Sequence, residues 1–139
     1  MPARGQLVCS ANQSRPDDFG QPRLPAIQVK VAKIYLGTPK AHWPTPNMDI
    51  EAERNRYEAE FARMGKEFAD VDFVTNHLVT KTEDLAGLRD KLQAADGVLI
   101  IHLSMHVGPV LKEILAAKKP TMVFAAPYSG HEWAGFGAA

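Results

Sequence analysis

The chain has 139 residues, enough for one domain with a real core and too few for two. Sixteen lysines and arginines balance sixteen aspartates and glutamates, so no excess charge draws the protein toward nucleic acid or an anionic membrane. A single cysteine, Cys9, excludes an internal disulfide framework and any cysteine-built zinc site, and fits a reducing, cytoplasmic setting.

Residues 1–27 hold four prolines, scattered charges and no sustained period of 2 or 3.6, the composition of a tail, a linker or a misread upstream start. They contain no apolar core of signal-peptide length, and no later run approaches the roughly 20 apolar residues of a membrane helix. Residues 28–139 form the folded unit. V29-K-V-A-K-I-Y-L36 alternates and then turns apolar, as a strand does on becoming buried on both faces, and Gly37 with Pro39 ends it. From Asp49 to Phe68, Ile50, Tyr57, Phe61, Met64 and Phe68 make one apolar stripe on a charged cylinder, with Asp49, Glu51 and Glu53 suited to a helix N-terminus.

V71-D-F-V-T75 reads as a short strand, and T80-K-T-E83 as a capping box opening a helix with Leu85, Leu88 and Leu92 inward. G97-V-L-I-I-H-L103 is apolar enough for a central parallel strand. G108-P-V-L-K-E-I-L-A-A-K-K119 reads as a helix begun at Pro109 and stopped by Pro120, with T121-M-V-F-A-A126 as a fourth strand. Strands alternating with helices predict a three-layer α/β fold, a flavodoxin-like (Rossmann-like) parallel sheet of order 2-1-3-4. Such sheets usually carry a further βα unit, so the chain reads as an incomplete one.

Ligands of open parallel sheets bind beyond the carboxyl ends of the strands, at the switch point in strand order. All five histidines map there: His42 after strand one, His77 after strand two, His102 and His106 around the end of strand three, and His131 after strand four. His42 and His77 read as ordinary loop histidines. His102, His106 and His131 are either that or ligand contacts, and weak metal candidates. The four-residue spacing of His102 and His106 suits a metal only on a helix, whereas Gly108-Pro109 starts the helix later. Ser104 either caps that helix or meets a ligand oxygen at its N-terminus.

The first loop brings Lys40, His42 and Trp43, and the last brings Tyr128, His131, Glu132 and Trp133. Trp43 and Trp133 can stack on a sugar ring or pack within a protein surface. No G-x-G-x-x-G or G-x-x-x-x-G-K-[ST] is present, so neither a dinucleotide nor a nucleoside triphosphate is supported. A phosphorelay receiver is excluded as well, because Gly37-Thr38 and His102-Leu103 stand where its carboxylates belong.

A95-D-G-V-L-I-I-H-L-S104, a Gly-Pro opening the next helix, and K119-P-T-M-V-F-A-A-P-Y-S-G-H-E-W133 together resemble the N-terminal domain of the L-arabinose and L-fucose isomerase-like sugar isomerases. The resemblance covers about residues 30 to 135 and implies an aldose–ketose isomerase relative, a sugar or polyol ligand, and a homo-oligomer. It also implies manganese for the whole enzyme, held by later domains and not by this chain. His102 and Ser104 match the family's histidine loop, and His131 and Glu132 match the next loop more loosely. With Trp43 and Tyr128 they form the expected substrate-binding set. The loop lacks the Phe-Ser-Pro continuation of the arabinose enzymes, so the chain is expected to be a first domain without a complete catalytic site. Two alternatives stand beside it: a stand-alone sugar-binding or interaction module, and a small metal-dependent hydrolase using His102, His106, His131 and Glu132.

Overall fold

A computed structural model describes residues 27–42 and 44–125. In chain order they form β1 (Val29–Leu36), α1 (Ile50–Arg63), β2 (Val71–Val79), a 3₁₀ turn (Thr82–Leu85), α2 (Arg89–Ala94), β3 (Gly97–His102), α3 (Gly108–Leu115) and β4 (Thr121–Ala125). All neighbouring strands pair in parallel, in the order β2-β1-β3-β4. This is the flavodoxin-like order expected from the alternation of strands and helices. None of the described helices is long and apolar enough to cross a membrane.

Alternate residues of β1 and β3 enter two cores, as the two-residue period of a strand requires. Ala32, Ile34, Leu36, Val98 and Ile100 join Leu85, Leu88 and Leu92 and the α3 residues Val110, Leu111 and Ile114. On the other face Tyr35, Ile101 and Leu103 meet Ile50, Tyr57 and Phe61 of α1. Burying each such aliphatic side chain contributes roughly 1.5–3 kcal/mol. The large core on the α2–α3 face therefore dominates stability, while the α1 face carries the smaller share.

Three helix limits differ from the sequence expectation. α1 stops at Arg63, with Met64 as C-cap and Gly65 in the turn, a residue of poor helix propensity. Phe68 continues the apolar stripe from outside the helix, with its ring centroid 5.5 Å from Phe61 and 5.6 Å from Phe73. The second helix is a 3₁₀ turn followed by a short α2. The expected Thr80–Glu83 box is replaced by Asp84, whose carboxylate accepts from the Thr80 amide (2.9 Å), the Thr80 hydroxyl (3.0 Å) and the Lys81 amide (3.2 Å). Those bonds, the Thr80 amide first, hold the Asp84 carboxyl below its ordinary range. α3 ends at Leu115 rather than Lys119, and Lys118 takes the left-handed conformation (φ 53°) that closes a helix C-terminus.

Under α1 lies a polar clasp. Lys33 points from β1 into the α1 face, 2% exposed, and its ammonium is 2.7 Å from Glu58 on α1. It also sits 4.2 Å from the Phe61 ring centroid and 4.5 Å from that of Phe73, where ring faces attract a cation. The Tyr35 hydroxyl donates to the same Glu58 oxygen at 2.5 Å, and Asn76 donates to the other at 3.4 Å. A bulge in β2 makes this possible. Val31 pairs with Phe73 but Ala32 with Thr75, so Val74 is the extra residue, and Phe73 and Asn76 reach one face instead of two.

Burial alone would raise the Glu58 carboxyl. Hydrogen bonds from Lys33 and Tyr35, then the Lys33 charge and Asn76, outweigh it and hold the group below its ordinary range. Burial, and then the bond to Glu58, push the Tyr35 phenol well above its usual value. A carboxylate with a depressed folded pKa contributes stability that is present at neutral pH and lost as pH falls through the folded value. Glu58→Gln strands a buried ammonium and is expected to cost about 3 kcal/mol. Lys33→Met is expected to be milder, because the Glu58 side chain is 28% exposed and regains water. Urea denaturation at neutral and acid pH checks both. The wild type should lose more stability on acidification than Glu58→Gln, and equal losses would refute the assignment.

Candidate functional site

The order β2-β1-β3-β4 places the switch point between β1 and β3, beyond Leu36 and His102, which pair in register. The ladder extends one step further, as the Leu103 amide donates to the Leu36 carbonyl at 2.8 Å. Beyond it the two loops are tied together by Ser104. Its hydroxyl accepts from the Thr38 amide at 2.6 Å and donates to the Thr38 carbonyl at 3.1 Å. A weaker bond at 3.5 Å runs from the Thr38 hydroxyl to the His106 carbonyl.

Gly37 permits this approach. A methyl group built there would lie 3.1 Å from Ser104 Oγ and 3.3 Å from Leu103 Cβ, closer than a side chain normally packs. Ser104 is 2% exposed, so its principal bonds hold the loops, and it does not cap α3: the N-cap there is Val107, without a side-chain cap bond. The first-turn amides of α3 are accordingly left without a side-chain acceptor from the N-cap.

Above this tie the backbone is strained. Lys40 (φ 63°), Asn47 (φ 57°) and His106 (φ 66°) are all left-handed without being glycine, a conformation that costs about 1–2 kcal/mol for a residue bearing a Cβ. Lys40, His42 and His106 are exposed. His102 is 3% exposed and ends β3, so the His102–His106 pair divides into one buried and one solvent-facing imidazole. α3 begins at Gly108, after both, and the four-residue spacing does not become a helical metal face.

His77 departs from expectation. It lies inside β2, which runs to Val79 and not Thr75, and pairs with Ile34. Its Nδ1 is 3.0 Å from the Thr75 hydroxyl, a local strand contact away from the switch point. Trp43, Tyr128, His131, Glu132 and Trp133 lie outside the described residues. Among the described residues no group of three or more His, Cys, Asp or Glu is arranged to hold a metal ion.

Sequence reasoning missed the Lys33–Glu58–Tyr35 clasp. Its signal was the single lysine inside the apolar half of β1. Two grooves also lie away from the switch point. One of about 640 Å³ runs between α2 and α3, lined by Arg89, Gln93, Lys112 and Glu113 among others. Its polar side chains pair with each other across the groove, Arg89 lying 3.4 Å from Glu113. Another, of about 380 Å³, is bounded by Val31, Phe73, Leu99 and Met122 and is mainly apolar. Comparison with protein-family models, curated proteins and solved structures finds no match to this chain.

Ser104→Ala leaves the Thr38 amide without its acceptor and is expected to cost about 1–3 kcal/mol. Amide exchange at Thr38 should accelerate more than at Leu103, whose partner is the backbone. Exchange unchanged at Thr38 would show that the tie does not hold the loops.

Proposed function

We propose that the chain is the first α/β unit of a sugar-isomerase-like protein, contributing a binding surface for a small sugar or polyol and not a complete catalytic site. The observation that carries this reading is the pre-built switch point. Ser104 locks the β1 and β3 loops together, and the strained Lys40 and His106 are held exposed above the lock. Backbone strain of this kind concentrates where a side chain must be aimed. The uncapped N-terminus of α3 adds backbone donors for a hydroxyl oxygen.

A polyol needs donors and acceptors in alternation rather than a strong field, and a neutral chain with an exposed ammonium and imidazole at the switch point suits it. In this proposal His106 and Lys40 meet the ligand, and Ser104 positions the loops. His102 supports them from the buried end of β3. His131, Glu132, Trp43 and Tyr128 enter through the family resemblance. The manganese of such an enzyme supplies Lewis-acid chemistry at residues beyond this chain, and no step here is assigned to it. The hydrolase alternative needs His131 as a ligand, and loss of metal uptake in His131→Ala is its test.

Titration of the 139-residue chain with L-arabinose, L-fucose and a matching polyol, followed by amide chemical shifts, tests the proposal. Shifts should centre on Thr38, Lys40 and the segment from Ser104 to Val107, with or without manganese. Absence of shifts with all three ligands would overturn the reading, and turnover of either aldose by the isolated chain with manganese would overturn the claim of an incomplete site. His106→Gly provides a second check. Relief of left-handed strain should raise stability by about 1 kcal/mol, while sugar affinity falls.

A further inference from the structure

The two edges of the sheet are built differently. On β2, Asp72, Asn76 and His77 are exposed and a bulge interrupts the ladder at Val74, both of which discourage pairing with another strand. On β4, T121-M-V-F-A125 contains no charge and no proline, and its register with β3 runs without a shift. Among the described residues its α1-side face is thinly covered: Met122 is 70% and Phe124 47% exposed, Phe124 meets the Tyr57 ring edge-on at 6.0 Å between centroids, and the face is continuous with the apolar groove beside Leu99.

We propose that β4 is a self-association edge whose occupant is the β4 of a second copy, antiparallel about a two-fold axis at Val123. The hydrogen-bond phase supports that centre. The Val98 amide donates to the Pro120 carbonyl at 2.8 Å, so the polar groups of residues 120, 122 and 124 face β3, and those of Thr121, Val123 and Ala125 face the free edge. With Val123 opposite Val123 of the partner copy, Thr121 faces Ala125, and every outward backbone group at these positions finds a partner. The same register sets Met122 directly opposite Phe124 twice. These are thioether–aromatic contacts on the exposed face, and an isologous interface needs such self-complementarity.

Zero net charge and an uncharged strand leave no like-charge opposition across the axis. Five residues a side is a small contact beside the roughly 1,600 Å² of a standard interface, so the dimer is expected to be reversible. This inference draws on no switch-point residue, and a strand supplied by chain beyond Ala125 would compete for the same edge.

The test uses the full chain with Cys9→Ala as background. Sedimentation should show dimer increasing with concentration, and Phe124→Lys should abolish it with unchanged circular dichroism. Position 124 is half-exposed and the substitution removes one edge contact with Tyr57, so a matched Phe124→Ala protein, which loses the same contact without adding charge, separates loss of packing from loss of pairing. Val123→Cys should form a disulfide-linked dimer on mild oxidation, since paired Cα atoms stand about 5.5 Å apart in such a register. Thr121→Cys, opposite Ala125 and not itself, should not cross-link. A chain that stays monomeric at every concentration, as when residues 126–139 cover the edge, overturns the proposal. So does a dimer indifferent to Phe124→Lys, or one in which Thr121→Cys cross-links and Val123→Cys does not.

Discussion

A parallel sheet needs cover on both faces, and the handedness of its crossovers decides where that cover comes from. In this chain the step from β1 to β2 runs one way along the sheet, and the steps to β3 and β4 run the other way. α2 and α3 therefore share one face and α1 stands alone on the other. The rest of the molecule follows from that imbalance. The shared face holds the large aliphatic core, and the single-helix face is covered well over β1 and poorly over β4, where Met122 and Phe124 remain exposed.

A lone helix on one face has to be held by what it carries, and α1 carries mostly charge. Ile50 is its one buried residue. Tyr57 and Phe61 add partial burial, and the remainder of the attachment is the Lys33–Glu58–Tyr35 clasp. Buried ion pairs seldom exceed the stability of a well-packed apolar replacement. They do impose geometry: Glu58 must meet both Lys33 and Tyr35, two residues apart on one face of β1, which fixes the rotation and height of α1. A purely apolar contact between so few side chains would leave that register loose. The ion pairs between Arg54 and Glu51, Arg56 and Glu53, and Arg63 and Glu60 lie on exposed or half-exposed positions of the same helix and contribute little by comparison.

The parts of the fold legible in the sequence were those governed by a single period. The apolar runs at 29–36, 97–103 and 121–126 marked strands, the Ile50–Phe61 stripe marked α1, and Pro109 and Pro120 bounded α3. Strand order followed from chirality and not from any one residue. What escaped depended on partners distant in sequence. β2 is longer than its apolar stretch because pairing with β1 carries it through Asn76 and His77, two polar residues that no strand pattern favours. Asp84 rather than Glu83 closes the turn at Thr80, a choice made by where the chain bends and not by the S/T-x-x-E spacing. The switch-point tie escaped for the same reason: Ser104 and Thr38 are 66 residues apart, and a serine before a helix reads locally as a cap.

The residues behind the family resemblance can be sorted by the same physics. Asp96 accepts from the Lys30 amide at 2.8 Å and returns its own amide to the Lys30 carbonyl at 2.8 Å, which latches the start of β3 to β1. A Cβ at Gly97 would lie 3.3 Å from the Pro120 carbonyl, and Lys119 donates to the Gln93 carbonyl at 2.7 Å. The Ala-Asp-Gly-Val and Lys-Pro segments thus answer to strand alignment at the amino end of the sheet, opposite the switch point. Any doubly wound sheet with this spacing would favour them, so they answer to the fold and not to a reaction. The switch point lies at the other end. There His106 and Lys40, like Lys118 beyond α3, keep a left-handed conformation that glycine would adopt at lower cost.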